Sequence, residues 1–322
     1  MNTAVSGHHT GLSRIKLFWA LSRTPHAVLD ISTPALAALL WLGAFPPLKV
    51  ILLGLLTAFA GYTAVYALND VIDFRVDRER VKSGELPAAE SYLDDVMIRH
   101  PMAYGLLSYR EGLTWVIAWG AVAMLGAYLL NPVCVVVFLA GCLFETVYCL
   151  MLKISSLRTL VSGAVKTSGA VAAVFAVDPD PSSAFMCALF VWIFCWEIGG
   201  QNIPHDWADI EEDRRLEAQT VPVRFGAERA TTLILYTLIA TVALNVVVLY
   251  FSQTVFGLLT VIIFLTGGIY LLIVPARRLY KVKERRNAMA LFNRSSYYPM
   301  ALLLLMVAKV AVSAIFPSLN LL

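Results

Sequence analysis

The sequence predicts an all-α, polytopic membrane bundle of nine transmembrane helices with two Asp-rich cytoplasmic loops. Three observations carry that expectation. Only 15% of the 322 residues are charged and 59% are hydrophobic, giving a mean hydropathy of +0.73; a soluble domain carries about 25% charged residues. Apolar stretches of the about 17–25 residues needed to span a bilayer recur along the whole chain. Lys and Arg collect in alternate connections between those stretches, the asymmetry that orients membrane helices.

Taken in order, helices are expected at 26–45, 48–69, 112–130, 132–151, 159–177, 184–203, 229–250, 254–274 and 298–316. Phe45-Pro46-Pro47, Asn131-Pro132, Asp178-Pro179-Asp180-Pro181 and Phe251-Ser252-Gln253-Thr254 supply turn chemistry between antiparallel neighbours. Arg14, Lys16 and Arg23 precede the first helix, and Arg75, Arg78, Arg80, Lys82, Arg99 and Arg110 lie between the second and third. Basic residues return as Lys153 and Arg158, as Arg214, Arg215, Arg224 and Arg229, and as the run from Arg277 to Arg286, whereas the alternate links carry essentially only Lys49. Basic loops stay cytoplasmic, so the N-terminus is placed inside and the C-terminus outside, as an odd helix count requires. Residues 1–25 form a cytoplasmic tail, 26–316 one nine-helix domain, and 317–322 a short C-terminal tail. A multi-pass protein of a bacterial-type inner membrane is expected.

The same composition excludes a disordered chain and a basic nucleic-acid-binding domain, and a formal net charge of +3 argues for no polyanionic partner. Cys134, Cys142, Cys149, Cys187 and Cys195 fall inside apolar runs without CxxC or Cys/His spacing, so they are expected to be buried small hydrophobes. No cleavable signal peptide is evident, because the stretch after the basic N-terminus is too long for a signal core.

Two polar cytoplasmic segments, 70–111 and 204–228, hold most of the acidic residues. Within them Asp70, Asp73, Asp77 and Arg78 repeat the pattern of Asp206, Asp209, Asp213 and Arg214, each displaced by 136 residues. Steps of three and four put the three carboxylates of each copy on one helical face. Two unit charges about 4 Å apart repel by about 4 kcal/mol at an effective dielectric near 20, so a counter-charge is implied. Mg²⁺ binds through one or two carboxylates plus substrate phosphates, and two such faces at one end of a bundle would hold a Mg²⁺–diphosphate between them. Arg78 and Arg214 are candidates for charge-assisted contacts to phosphate oxygens.

With those motifs the chain resembles the UbiA superfamily of intramembrane prenyltransferases, which have nine helices and two Asp-rich motifs. Asn69, Asp70, Asp73 and Asp77 match the first motif, NDxxDxxxD, and Asp206, Asp209 and Asp213 the second. Thr220-Val221-Pro222-Val223-Arg224-Phe225-Gly226 is similar to the T-x-P-V-x-x-G that follows in the family. Tyr148 and Lys153 resemble the family's Tyr…Lys pair, and Arg23 sits where members often carry Arg near an aromatic acceptor. Two features depart from the pattern. The Arg-Pro-Leu-x-x-Gly signature has its nearest equivalent in Arg99-His100-Pro101-Met102-Ala103-Tyr104-Gly105, after an acidic insert around Ser83–Val96, and Lys153 lies five residues beyond Tyr148 where many members have four.

The resemblance implies Mg²⁺-dependent transfer of a polyprenyl group from prenyl diphosphate to a lipophilic, aromatic acceptor, as in quinone or related lipid biosynthesis. Asp70, Asp73, Asp77, Asp206, Asp209 and Asp213 would ligate the metal, and Arg78, Arg214 and Lys153 would stabilise the departing diphosphate. Tyr148, Tyr66 and Trp196 are candidate electron-rich faces for an allylic cation. Asn69 and Arg23 would contact substrate. Glu197, Gln201 and Asn202 lead toward Asp206 and are candidates to line the acceptor pocket, while His205 reads as an interface histidine. Charges inside a bilayer are costly, so Glu145 and Lys166 are expected to pair, with Asp30 a further intramembrane carboxylate. The basic run Arg277–Arg286 is expected to anchor the chain to membrane lipids. Alternative fates are terpene cyclisation or phosphoribosyl transfer to polyprenyl phosphate. A cation-coupled transporter would instead place its ionisable residues near the midplane.

Overall fold

The computed structural model describes residues 14–82, 97–254 and 256–315, and no strand occurs among them. The insert Ser83–Val96, the tail 317–322 and most of the tail 1–25 lie outside the described residues. Among the described residues nine helices are long and apolar enough to cross a membrane: α1 Thr24–Leu42, α2 Leu48–Ile72, α3 Tyr109–Leu130, α4 Pro132–Leu150, α5 Arg158–Val177, α6 Ser183–Ala208, α7 Val221–Phe251, α8 Leu258–Lys281 and α9 Arg285–Ile315. Short helices Arg14–Leu21, Phe74–Lys82 and Ile210–Arg215 lie at the face that carries the Asp-rich segments.

The connections follow from local chemistry. Asn131 ends α3 and begins α4, its side chain accepting from the Val133 amide while Pro132 occupies the first turn. Ser108 and Glu111 form a reciprocal capping box on α3. Successive helices pack on one another, and α1 closes the bundle against α5 and α9. Leu52, Ile117, Leu125, Val136 and Leu143 are exposed on the outer wall, the apolar exterior that lipid requires.

Several helices differ from expectation in ways that shape the interior. α7 begins at Val221 rather than at 229, because Pro222 starts a first turn that a kink at Gly226 joins to the span; φ 82° and ψ 159° there suit glycine alone. α9 begins at Arg285 rather than at 298, its first half running Arg285–Ser296 before a break at Tyr297. α1 is interrupted at Ile31 between Thr24–Asp30 and Ser32–Leu42. α6 contains a π turn over Glu197–Asn202.

Both Asp-rich stretches of the expected polar loops are helical. α2 runs through Asp70 to Ile72 and is followed by Phe74–Lys82; α6 runs through Asp206 to Ala208 and is followed by Ile210–Arg215. Each carboxylate ladder is therefore a helix end, a break at the middle aspartate, and a short helix.

Candidate active site

Asp73 and Asp209 occupy the two breaks, with φ/ψ of −80°/1° and −101°/16°. Backbone bonds still bridge each break: the Asp77 amide donates to the Asp73 carbonyl at 2.9 Å, and the Asp213 amide to the Asp209 carbonyl at 2.9 Å. The ladder thus keeps its helical step while the middle residue turns. Asp73, Asp77, Asp206, Asp209 and Asp213 all line the mouth of one cavity of about 540 Å³. Asp70, 3% exposed, is turned away from it and toward Arg23 and His100.

Arg80 ties the two ladders together. Its guanidinium lies 3.9 Å from Asp77, 3.1 Å from Glu212 and 3.7 Å from Asp213. Burial works against its charge, but the surrounding carboxylates outweigh burial and hold it above its ordinary value. Arg78 and Arg214, the arginines expected at the site, are exposed, and Arg214 pairs with Glu211 at 2.9 Å. The cause is helix geometry: a residue one step beyond an aspartate is rotated by about 100°, whereas one three steps beyond shares its face. Arg80 stands three steps after Asp77.

His100 is the second unforeseen cation. Held at φ 54°, it places Nδ1 3.3 Å from Asp70 and 3.0 Å from Asp77. Burial opposes its protonation, yet the two carboxylates dominate and push its pKa up to about 9. Burial, reinforced by Asp77, raises Asp73 to about 6 against the pull of Arg158 and Arg80. Burial likewise raises Asp213 to about 6, with Arg80 opposing and Asp209 adding to the rise. Two carboxyls of the mouth are thus held above the ordinary carboxylate range, chiefly by burial. Asp206 Oδ2 is moreover buried without a hydrogen-bond partner. A set of oxygen donors with an unmet buried oxygen fits a hard divalent cation.

Deeper in, Arg158 at the start of α5 is 5% exposed, lies 3.6 Å from Asp206, and sits 4.0 Å above the Tyr148 ring. The Tyr148 hydroxyl accepts from Asn202 Nδ2 at 3.0 Å. Lys153 is displaced from the cavity: its side chain is 45% exposed and reaches Glu79 at 3.5 Å. Arg158 fills the position beside Tyr148 that Lys153 was expected to supply. Arg23 donates to Asn69 Oδ1 and Asp70 Oδ1, both at 3.3 Å, and Asn69 Nδ2 donates to Glu145 at 2.6 Å. Lys166 pairs with Asp30 at 2.5 Å, not with Glu145 as expected, and the Tyr66 hydroxyl donates to the same Asp30. Tyr66 lines the cavity, whereas Trp196 is buried behind it with Nε1 bonded to the Ser295 carbonyl at 3.1 Å.

His205 lines the mouth 3.8 Å from Asp209, with Arg99 at 3.4 Å. The basic run is not purely peripheral: Arg285 lies 3.8 Å from Asp209 and donates to the Ala208 carbonyl at 3.0 Å. Beyond Tyr62 the cavity continues between apolar and small residues of α2, α4 and α5, including Gly54, Ala58, Phe138 and Ala173. From Asn69 to Gly54 along α2 is about 22 Å at 1.5 Å per residue.

The chain is thus a multi-pass integral membrane protein whose polar mouth of paired carboxylate ladders opens into a long apolar interior. Residues 31–297 match the UbiA prenyltransferase family. The chain belongs to that family and is a prenyltransferase. It is 23% identical over 232 residues to 4-hydroxybenzoate octaprenyltransferase of Shewanella woodyi, covering 70% of this chain and 75% of that one. It is 26% identical over 220 residues to digeranylgeranylglyceryl phosphate synthase of Thermococcus sibiricus, covering 67% and 71%. Its fold is similar to that of a UbiA homolog from Archaeoglobus fulgidus bound to DMAPP and Mg²⁺, with TM-score 0.69 and 17% identity over 92% of this chain and 99% of that one.

Proposed function

We propose that this protein transfers a prenyl group from a prenyl diphosphate to an aromatic acceptor in a Mg²⁺-dependent reaction. The observation that carries the proposal is the convergence of two D-x-x-D-x-x-x-D ladders, crosslinked by Arg80, on the mouth of one long cavity. Asp73, Asp77, Asp206, Asp209 and Asp213 would hold Mg²⁺, and relatives solved with DMAPP or GPP and Mg²⁺ support that assignment. When bound, the metal would neutralise the diphosphate and make it a better leaving group.

The chain's own residues do the rest. Arg80 and Arg158 supply fixed positive charge where the departing diphosphate gathers negative charge. The Tyr148 ring already carries a guanidinium on one face at 4.0 Å, so its electron-rich surface suits a cation in the adjoining cavity. The apolar interior would take the isoprenoid tail. The bond from prenyl C1 to oxygen breaks with its electron pair leaving on diphosphate. A ring carbon of the acceptor bonds to C1, and the proton it carried departs to water at the polar mouth.

The basic connections on the ladder face support placing that face in the cytoplasm, with the N-terminus inside. The decisive experiment incubates purified protein with labelled prenyl diphosphates of several lengths and a panel of acceptors. Product masses separate transfer from cyclisation. Asp73→Ala and Asp209→Ala should each abolish Mg²⁺-dependent diphosphate release, and unchanged turnover in both would refute the two-ladder site.

A further inference from the structure

The first ladder carries a second group of donors at its back edge, where Asp70 turns away from the cavity. Among the described residues, Asp70, Asp77 and His100 are the one group of three metal-ligating side chains whose donor atoms all lie within 4.8 Å of one another. Both aspartates are 3% exposed. They stand seven residues apart, about 10.5 Å along an unbroken helix. The turn at Asp73 and the segment that carries His100 bring both carboxylates to one imidazole nitrogen.

His100 Nδ1 lies 3.3 Å from Asp70 Oδ1 and 3.0 Å from Asp77 Oδ2. It is buried, and neither oxygen meets it in hydrogen-bonding geometry. Ligand atoms held about 2.0–2.2 Å from a tetrahedral ion stand about 3.3 Å apart, close to the spacing here. The donor set favours a borderline transition ion: imidazole suits Zn²⁺, whereas Mg²⁺ takes oxygen ligands and keeps its waters. Two carboxylates offset the double charge. Arg23 shares Asp70 Oδ1, at 3.3 Å, and a carboxylate oxygen has lone pairs for both partners. A void of about 10 Å³ bounded by Asp70, His100, Pro25 and Met97 is about the size one water needs, room for a fourth ligand. Val71, Met102 and Leu107, all buried in one apolar cluster, back these elements.

We propose that Asp70, Asp77 and His100 bind a Zn²⁺ ion distinct from the Mg²⁺ of the ladders, and that Asp77 bridges the two sites so that zinc weakens Mg²⁺ binding at the mouth. Asp77 gives Oδ2 to this group, while its Oδ1 faces Arg80, a residue of the cavity wall, at 3.9 Å. Two cations that divide one carboxylate repel each other and share its charge. The zinc site stands on its three residues; the bridge rests on the assignment of Mg²⁺ to the ladders.

The test measures binding without turnover. Purified full-length protein, stripped with EDTA, is titrated in excess Mg²⁺ with Co²⁺, a visible-absorbing substitute for Zn²⁺. The wild type should bind Co²⁺ with the strong absorption of a four- or five-coordinate ion, displaced by Zn²⁺ and not by more Mg²⁺. His100→Asn and Asp70→Asn should each lose at least about tenfold in affinity, the loss of one of three protein ligands, while Asp209→Asn on the second ladder should stay within about twofold. A cooperative thermal transition in EDTA shows that each variant is folded. Unchanged affinity in both His100→Asn and Asp70→Asn, or displacement of Co²⁺ by Mg²⁺ alone, would overturn the site. Diphosphate release from a labelled prenyl diphosphate, followed as Mg²⁺ is varied, tests the bridge. Zinc should raise the Mg²⁺ needed for half-maximal rate at least about fivefold in the wild type and less than about twofold in Asp70→Asn; equal shifts would overturn the bridge. Absence of release under every condition, beside intact Co²⁺ binding, would refute prenyl transfer and leave the zinc site standing.

Discussion

Removing the charge of His100 should change how stability depends on pH, by an amount that the site geometry sets. Its imidazole lies between Asp70 and Asp77, at 3.3 Å and 3.0 Å, with Arg23 beside the first carboxylate and Arg80 beside the second. Its pKa rises from 6.5 to about 9; at about 1.36 kcal/mol per unit, the folded state gains at most about 3 kcal/mol from the proton. Because the folded value lies above the unfolded one, that stabilisation is complete below pH 6.5 and is lost as pH rises through 9. His100→Asn removes the charge and suits the backbone, since Asn tolerates the positive φ of 54° found there. Thermal unfolding of the purified protein in EDTA, from pH 6 to pH 9.5, reads the effect. At about 2–4 °C per kcal/mol for a mid-sized domain, the wild-type Tm should fall on the order of 5 °C more across that window than the Tm of His100→Asn. Parallel curves for the two proteins would refute the assignment of His100 as the counter-charge of the first ladder.

Two further outcomes follow from where side chains point. Arg80→Ala should lower prenyl-diphosphate turnover on the order of 100-fold, because it leaves Asp77 and Asp213 uncompensated, while Arg78→Ala, at an exposed position, should stay within about twofold; initial rates at saturating substrate check the contrast. Gly54 lines the cavity, and a Cβ built there meets nothing within 4 Å. Gly54→Phe should therefore fold, since Gly is the poorer helix former of the two, and should shorten the longest prenyl diphosphate accepted without slowing a five-carbon donor. An unchanged chain-length profile would count against the apolar interior as the tail site.

What could be read from the sequence was periodic, and what could not was tertiary. Nine spans and two ladders declare themselves through hydropathy and through steps of three and four. Arg80 was also legible in principle: it stands three residues after Asp77, and the same step that gathers the aspartates selects it over Arg78. His100 and Arg158 had no such signal. Each reaches the ladders from a separate element, after the insert or at the head of α5, and only packing brings Arg158 within 3.6 Å of Asp206. The Lys166 partner was misassigned for a related reason. Both Asp30 and Glu145 are intramembrane carboxylates, and spacing alone cannot say which one the bundle turns toward α5.

The π turn of α6 shows where regular periodicity misleads. Glu197 and Asp206 both line the cavity, yet they are nine residues apart, which in an unbroken α-helix rotates one about 180° from the other. The π turn over Glu197–Asn202 absorbs one extra residue, so the separation behaves as about eight residues, or about 80°. Gly199 and Gly200 fall within this turn, at close approaches to α7 and α9: a Cβ on Gly199 would lie 2.2 Å from Thr237 Oγ1, and one on Gly200 3.0 Å from the Ser295 side chain. The wide turn therefore lets a single helix present Glu197 as well as Asn202 and the carboxylate ladder from Asp206 onward to the same cavity. In a regular helix Glu197 would face the side opposite Asp206, and its carboxyl would be turned out of the chamber that opens at the ladder.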